Sequence, residues 1–232
     1  MTLPDHRPIL CLVTDRRRLC PSCDSFQAHR CLIEQVRAAV EAGVDLVQIR
    51  ERDLEGAALL ALAADARRIA RGSRTRIVVN ERLDIALAGG ADGVHLRADS
   101  MPVAAVRSVA PDGFLIGRSV HDANEAARAA NADYVIAGTV FATDSKPRTD
   151  RLLGEAGLAA IVHAVSVPVL AIGGVTIERG PAIAATGAAG IAAIGLFLGA
   201  AAGRSCRCTP LGPLVEAARA RFDTVRAASY HD

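Results

Sequence analysis

Residues 9–18 read Ile9-Leu10-Cys11-Leu12-Val13-Thr14-Asp15-Arg16-Arg17-Arg18, and two features of this stretch decide the fold. Its apolar residues run together instead of alternating with polar ones, as in a strand buried on both faces of a parallel sheet. It then passes into a polar, basic turn and not into the Gly-x-Gly-x-x-Gly phrase that opens a dinucleotide-binding doubly wound sheet. Working outward, the same kind of run recurs at 46–50, 77–80, 93–96, 114–117, 134–137, 169–172 and 190–194. Amphipathic stretches lie between. Leu32, Val36, Ala39 and Val40 share a stripe over 31–42, and Leu59, Leu62, Ala66 and Ile69 share one over 54–70. Asp122, with Glu125 three residues on, is a capping-box start for a helix to about residue 130. Gly43-Val44-Asp45, Ala91-Asp92-Gly93, Ala132-Asp133 and Thr186-Gly187 precede strands like one reused helix-to-strand turn. Eight such units predict a single-domain (β/α)8 TIM barrel, closed by a last helix over about 211–226.

Composition narrows the function. The chain has 232 residues, 51% of them hydrophobic, which excludes disorder, and a net charge of +2 with both signs scattered. No polybasic surface is written, and with no Trp, two Tyr and five Phe a base-stacking platform is hard to build, so nucleic acid is not expected as a partner. The start, Met1-Thr2-Leu3-Pro4-Asp5-His6-Arg7, has no apolar stretch of a secretory signal, and a cytoplasmic protein is expected. Residues 180–203 carry no charge, yet they are mostly Ala and Gly with breakers at Pro181, Thr186 and Gly187. They read as a short helix, a turn and a buried strand, not as a membrane span. Cys20-Pro21-Ser22-Cys23 and Cys206-Arg207-Cys208 do not form two matching zinc knuckles, because the second pair has one intervening residue instead of two. They are taken as loop cysteines, and Arg16–Arg18 as a solvated loop. A homo-oligomeric state stays open.

In a barrel the chemistry lies at the C-terminal ends of the strands. Those ends read Thr14-Asp15, then Gln48, Arg50 and Glu51, then Asn80-Glu81, His95, Ser119 and His121, Gly138-Thr139 with Lys146 beyond, Gly173-Gly174, and Gly195. Gly173, Gly174 and Gly195 let backbone N–H groups approach a phosphate. Arg50 offers a planar fork to a phosphate or carboxylate, unless Glu51 or Glu81 takes it. His121 stands just past its strand as a candidate general acid/base, whereas His95 is nearer a strand interior and reads as a core residue. His6, His29, His163 and His231 have no place in this strand-end pattern and are expected at the surface.

These strand-end phrases resemble the thiamin phosphate synthase/TenI family over roughly residues 8–202. They are Val47-Gln48-Ile49-Arg50-Glu51-Arg52, Val79-Asn80-Glu81-Arg82-Leu83-Asp84, Ala91-Asp92-Gly93-Val94-His95-Leu96, Gly117-Arg118-Ser119-Val120-His121, Gly138-Thr139-Val140-Phe141 through Lys146, and Ala171-Ile172-Gly173-Gly174-Val175. The resemblance implies a (β/α)8 fold and thiazole phosphate as a small-molecule partner, with Arg50, Asn80, Ser119, Lys146, Gly173, Gly174 and Gly195 as binding residues. Synthases of this family hold Mg²⁺ with an Asp after the third-strand Asn and an Asp after the fourth strand. Here Glu81 and Ser100 stand at those positions, beside Asp99, so the resemblance implies no cofactor, with Mg²⁺ needed only by a synthase. Gly-Arg-Ser-Val-His and Ile-Arg-Glu-Arg are TenI-like phrases. They imply an isomerase, a thiazole tautomerase that aromatises carboxythiazole phosphate with His121 moving the proton. The alternative is a transferase, thiamin phosphate synthase, joining hydroxymethylpyrimidine diphosphate to thiazole phosphate. A further alternative is a non-catalytic thiazole-phosphate-binding regulator.

Overall fold

The computed structural model describes residues 3–4, 7–129, 131–143, 152–199, 206 and 209–228. Eight strands pair in chain order, all parallel: β1 (Ile9–Val13), β2 (Leu46–Ile49), β3 (Arg76–Asn80), β4 (Gly93–Leu96), β5 (Leu115–Val120), β6 (Tyr134–Gly138), β7 (Val169–Ile172) and β8 (Gly190–Ala193). β8 returns to β1, with Leu10 opposite Ile191, so the sheet closes into the expected (β/α)8 barrel. After β1 come α1 (Arg16–Leu19) and α2 (Ser25–Glu41). The later connections carry α3 (Gly56–Ala70), α4 (Leu83–Ala88), α5 (Val103–Arg107), α6 (Ala123–Arg128), α7 (Gly154–Ala164) and α8 (Gly180–Ala185). The last helix, α9 (Gly212–Ala228), follows β8. Residues 180–193 are indeed a short helix, a turn and a strand. Among the described residues no helix is long and apolar enough to cross a membrane.

Three local expectations are corrected. Arg16–Arg18 form a helical turn, because the Asp15 carboxylate accepts the Arg18 N–H at 3.0 Å and caps it. α2 starts six residues before the apolar stripe, because Asp24 accepts the Gln27 N–H at 2.8 Å. β5 runs on to Val120, so Ser119 lies within the strand. The Arg118 guanidinium donates to the carbonyls of Ala98, Ser100 and Met101 and ties that strand end to the β4–α5 loop.

Two apolar layers hold the barrel. The larger, between sheet and helices, includes Leu12, Leu32, Val47, Leu62, Val79, Val94 and Ile116, all fully buried. The inner layer fills the barrel with Ile9, Cys11, Val13, Leu46, Val78, Leu115, Tyr134, Ile136 and Leu170. Tyr134 takes much of that space, and Gly117 beside it has none to spare. A Cβ there would lie 2.2 Å from the Tyr134 ring. Strand side chains alternate, so residues two further along from Leu46, Val78 and Gly117 face the same interior one layer higher. Those residues are Gln48, Asn80 and Ser119, and the inward top layer is therefore polar.

At the opposite end the reused turn acquires a physical meaning. The carboxylates of Asp45, Asp92 and Asp133 accept the second backbone N–H group of a neighbouring strand, those of Leu10 (2.8 Å), Ile77 (2.9 Å) and Ile116 (2.6 Å). Each is also met by arginine: Arg219 on Asp45 at 3.0 Å, Arg67 on Asp92 at 3.4 Å, and Arg107 on Asp133 at 2.8 Å. Parallel strands leave such N–H groups unpaired at the barrel rim, and a buried unpaired N–H costs about 1–3 kcal/mol. The carboxylates supply the missing acceptors.

Candidate active site

The C-terminal mouth holds a cavity of about 610 Å³. Of the residues expected there, Arg50, Asn80, Ser119, His121, Gly173, Gly174 and Gly195 all line it, while Lys146 lies outside the described residues. Gln48, His95, Arg18, Arg52 and Arg97 line it as well.

One bank is glycine. Gly173 and Gly174 have φ of +99° and +61°, in the left-handed region, and Cβ atoms there would meet Thr139 Cγ2 at 2.4 Å and the Ala142 carbonyl at 2.5 Å. Only glycine fits both the torsion and the space. Across the β8–β1 seam, the Arg18 guanidinium comes within 3.5 Å of where a Gly195 Cβ would be, so a cation overlooks this bare backbone. Backbone donors with a cation above them suit a monoanionic or dianionic phosphate.

The other bank is arginine. Arg16 takes both neighbouring carboxylates, Glu51 at 3.1 Å and Asp53 at 2.5 Å, and it holds Asp53 down at a pKa of about 2. The Glu81 carboxylate accepts the Arg97 backbone N–H at 2.5 Å. Neither Glu51 nor Glu81 is therefore left for Arg50, whose side chain makes no salt bridge among the described residues. Its backbone N–H is tied to Thr14 Oγ1 at 2.9 Å. Burial, and then the adjacent Arg52, pull the Arg50 pKa below the usual arginine range, against weaker support from Asp15 and Glu51. Beside it Gln48 donates to Asn80 Oδ1 at 2.9 Å, and its own buried Oε1 has no partner among the described residues. A buried acceptor without a donor, on a cavity wall lined with cations, suits a ligand that brings both N–H and negative charge.

The two histidines differ sharply. His95 is buried, with Nε2 2.9 Å from Ser119 Oγ and Nδ1 3.3 Å from the Tyr134 hydroxyl. Burial first, then Arg118 and Arg50, push its pKa down to about 3, so it is neutral and serves to orient Ser119. His121 stands just past β5, with its side chain 54% exposed. Its ring Nδ1 lies 3.0 Å from Glu125 Oε2, and its backbone N–H donates to the same oxygen at 2.8 Å. This leaves Nε2 as the ring's second proton-transfer atom. Glu125 is the partner that the sequence reading missed. It was legible only as a capping residue, because the capping register is what brings it back over His121. Away from the mouth, His29 and His163 lie at the surface as expected, where His29 meets Asp65 at 3.4 Å and His163 meets the Ala159 carbonyl at 2.7 Å. His6 and His231 lie outside the described residues.

A hard divalent cation does not fit the residues at the family's metal positions. Glu81 sits at φ +65° with its carboxylate on the Arg97 N–H, and Asp99 is bound to the Arg97 guanidinium at 2.5 Å. Ser100, which the resemblance places at the second of them, has no carboxylate. Neither carboxylate lines the cavity, whereas Arg97 does. Mg²⁺ needs near-ideal octahedral oxygen geometry, and here a guanidinium already engages one of the carboxylates.

The family model for thiamine monophosphate synthase (TMP-TENI) matches residues 10–197. The chain is 44% identical over 194 residues to the thiamine-phosphate synthase of Methanoculleus marisnigri, covering 83% of this chain and 87% of that protein. It is 36% identical over 199 residues to the thiamine-phosphate synthase of Roseiflexus castenholzii, covering 85% and 84%. Among solved structures, the thiamine phosphate pyrophosphorylase of Pyrococcus furiosus superposes with a TM-score of 0.74 at 32% identity, covering 93% of this chain and 96% of that one.

Proposed function

This chain belongs to the thiamine monophosphate synthase (TMP-TENI) family, and from that membership we propose that it is an enzyme of thiamin biosynthesis acting as a thiamin phosphate synthase. The weight thereby moves from the isomerase, which the TenI-like phrases favoured, to the transferase. The observation that carries it is the similarity to relatives named synthase, at 36–44% identity over more than four-fifths of the chain. The two-bank mouth supports it. A thiazole phosphate would rest its anion on Gly173, Gly174 and Gly195 under Arg18. A pyrimidine diphosphate would place its diphosphate against Arg50, Arg52 and Arg97, with Gln48 Oε1 accepting from the ring amine. The thiazole nitrogen then bonds to the pyrimidine methylene carbon as the C–O bond to the diphosphate breaks, and the arginines take up the charge of the leaving group. Because the metal positions do not fit Mg²⁺, no step is assigned to a metal.

A second reading, thiazole tautomerase, is favoured by one specific observation: His121 projects at the mouth, paired through Nδ1 with Glu125. A histidine so held can remove the proton from ring C2 and return one to the exocyclic carbon, without metal. One experiment separates the two. The purified chain is given hydroxymethylpyrimidine diphosphate with thiazole phosphate, and separately the unaromatised carboxythiazole phosphate. Pyrophosphate released in step with thiamin phosphate, and little aromatisation, supports the synthase. Aromatisation that survives EDTA and falls about 10²–10⁴-fold in His121→Asn supports the tautomerase and sinks the first reading.

A further inference from the structure

The loop that carries Arg18 to the mouth also carries a sulfur cluster. Cys20 ends α1 and donates its N–H to the Arg16 carbonyl at 2.9 Å. Cys23 closes the next turn, its N–H on the Cys20 carbonyl at 3.3 Å, and is joined to Cys20 as a disulfide. Cys31, a thiol, projects from the second turn of α2. The three sulfurs all lie within 4.8 Å of one another, Cys20 buried and the other two half-buried. A tetrahedral zinc with Zn–S bonds near 2.3 Å sets its sulfurs about 3.8 Å apart. Once the Cys20–Cys23 bond is reduced, its two sulfurs can part toward that figure, with the Cys31 sulfur already within 4.8 Å of both. Cys20-x-x-Cys23 also has the spacing of a metal-binding knuckle, and the third ligand, from the helix that follows, could not be recognised from sequence spacing alone.

We propose that Cys20, Cys23 and Cys31, once reduced, form a three-thiolate site for a soft divalent cation of the zinc class, with the fourth position left to water. Reduction of the Cys20–Cys23 bond by a dithiol takes two electrons and two protons and yields two thiols. The cation then displaces the protons of the three thiols and binds their thiolates. Thiolates select against Mg²⁺, so this site is separate from the reaction at the mouth and does not depend on which reaction that is. Its position gives it a consequence. It would pin the C-terminal end of α1 to α2, while the Arg16 bonds to Glu51 and Asp53 hold the start. Arg18 lies between those two anchors.

The test uses the full chain, reduced and kept under argon, titrated with Co²⁺ alone and then with Zn²⁺ in competition. One equivalent of Co²⁺ should develop a thiolate-to-cobalt charge-transfer band that Zn²⁺ abolishes, and prior oxidation of the Cys20–Cys23 pair should prevent it. Cys31→Ser should weaken binding about 100-fold or more, with an unchanged circular dichroism spectrum. Cys23→Ser, at a half-buried position, should do the same and serves if Cys31→Ser folds poorly. No charge-transfer band in the reduced wild-type chain, or equal affinity in Cys31→Ser and wild type, would overturn the proposal.

Discussion

The two ends of this barrel treat charge in opposite ways. At the N-terminal rim Asp45, Asp92 and Asp133 each close on a strand N–H and an arginine, and the buried Asp45 and Asp92 are satisfied on both counts. At the C-terminal mouth Arg50 is half-buried and the Gln48 Oε1 buried, and among the described residues neither has such a partner. Satisfied buried charge holds a structure together. Unsatisfied polar groups in a cavity cost stability and are kept where a ligand completes them. The rim therefore reads as stability and the mouth as function, on the same eight strands.

The largest test is at the rim. Asp92→Ala strands the Ile77 N–H and leaves Arg67 facing an apolar gap, and should cost about 3 kcal/mol in urea unfolding. Ligand affinity of the folded fraction should be unaltered. At the mouth, Arg50→Ala strands no carboxylate among the described residues. It should leave unfolding within about 0.5 kcal/mol of wild type while weakening pyrophosphate binding by about 2 kcal/mol, or roughly 30-fold, in calorimetry. A loss of stability as large as that of Asp92→Ala would erase the contrast. The smallest effect concerns pH. Unfolded, a histidine takes up its proton below about pH 6.5, whereas folded His95 does so only near 3. Between those values the unfolded chain binds one proton more, so acidification lowers stability by about 1.4 kcal/mol per pH unit. That slope, measured between pH 6.5 and 5 as the difference between wild type and His95→Gln, should be present only in the wild type. Parallel curves would mean that His95 is not held neutral by its burial.

The barrel was legible in the sequence because burial on both faces imposes unbroken apolar runs, and 9–13 or 169–172 have no other reading at that length. The mouth residues were legible for the same reason: Arg50, Asn80, Ser119 and Gly173-Gly174 interrupt those runs at their C-terminal ends. Partners were not. That Glu51 goes to Arg16, that Glu81 turns to the Arg97 N–H, and that Glu125 folds back on His121 depend on loop torsions and capping registers, which carry no periodicity. Lys146 lies outside the described residues, so its expected place at the mouth stays an expectation.

What the sequence determined by itself is the order of elements, the face each strand residue takes, and the set of polar groups delivered to one end of a closed sheet. Periodicity and composition suffice for these, because they reflect burial averaged over many residues. Only the tertiary structure decided which charges are spent on one another and which are left for a ligand. It also decided that the Asp of a reused turn accepts the second N–H of a neighbouring strand, and that Cys31 stands beside a pair eight to eleven residues away. Such pairings rest on distances of a few ångströms between separate segments, and hydrogen bonds and ligand bonds decay within that range. No regularity along the chain encodes them.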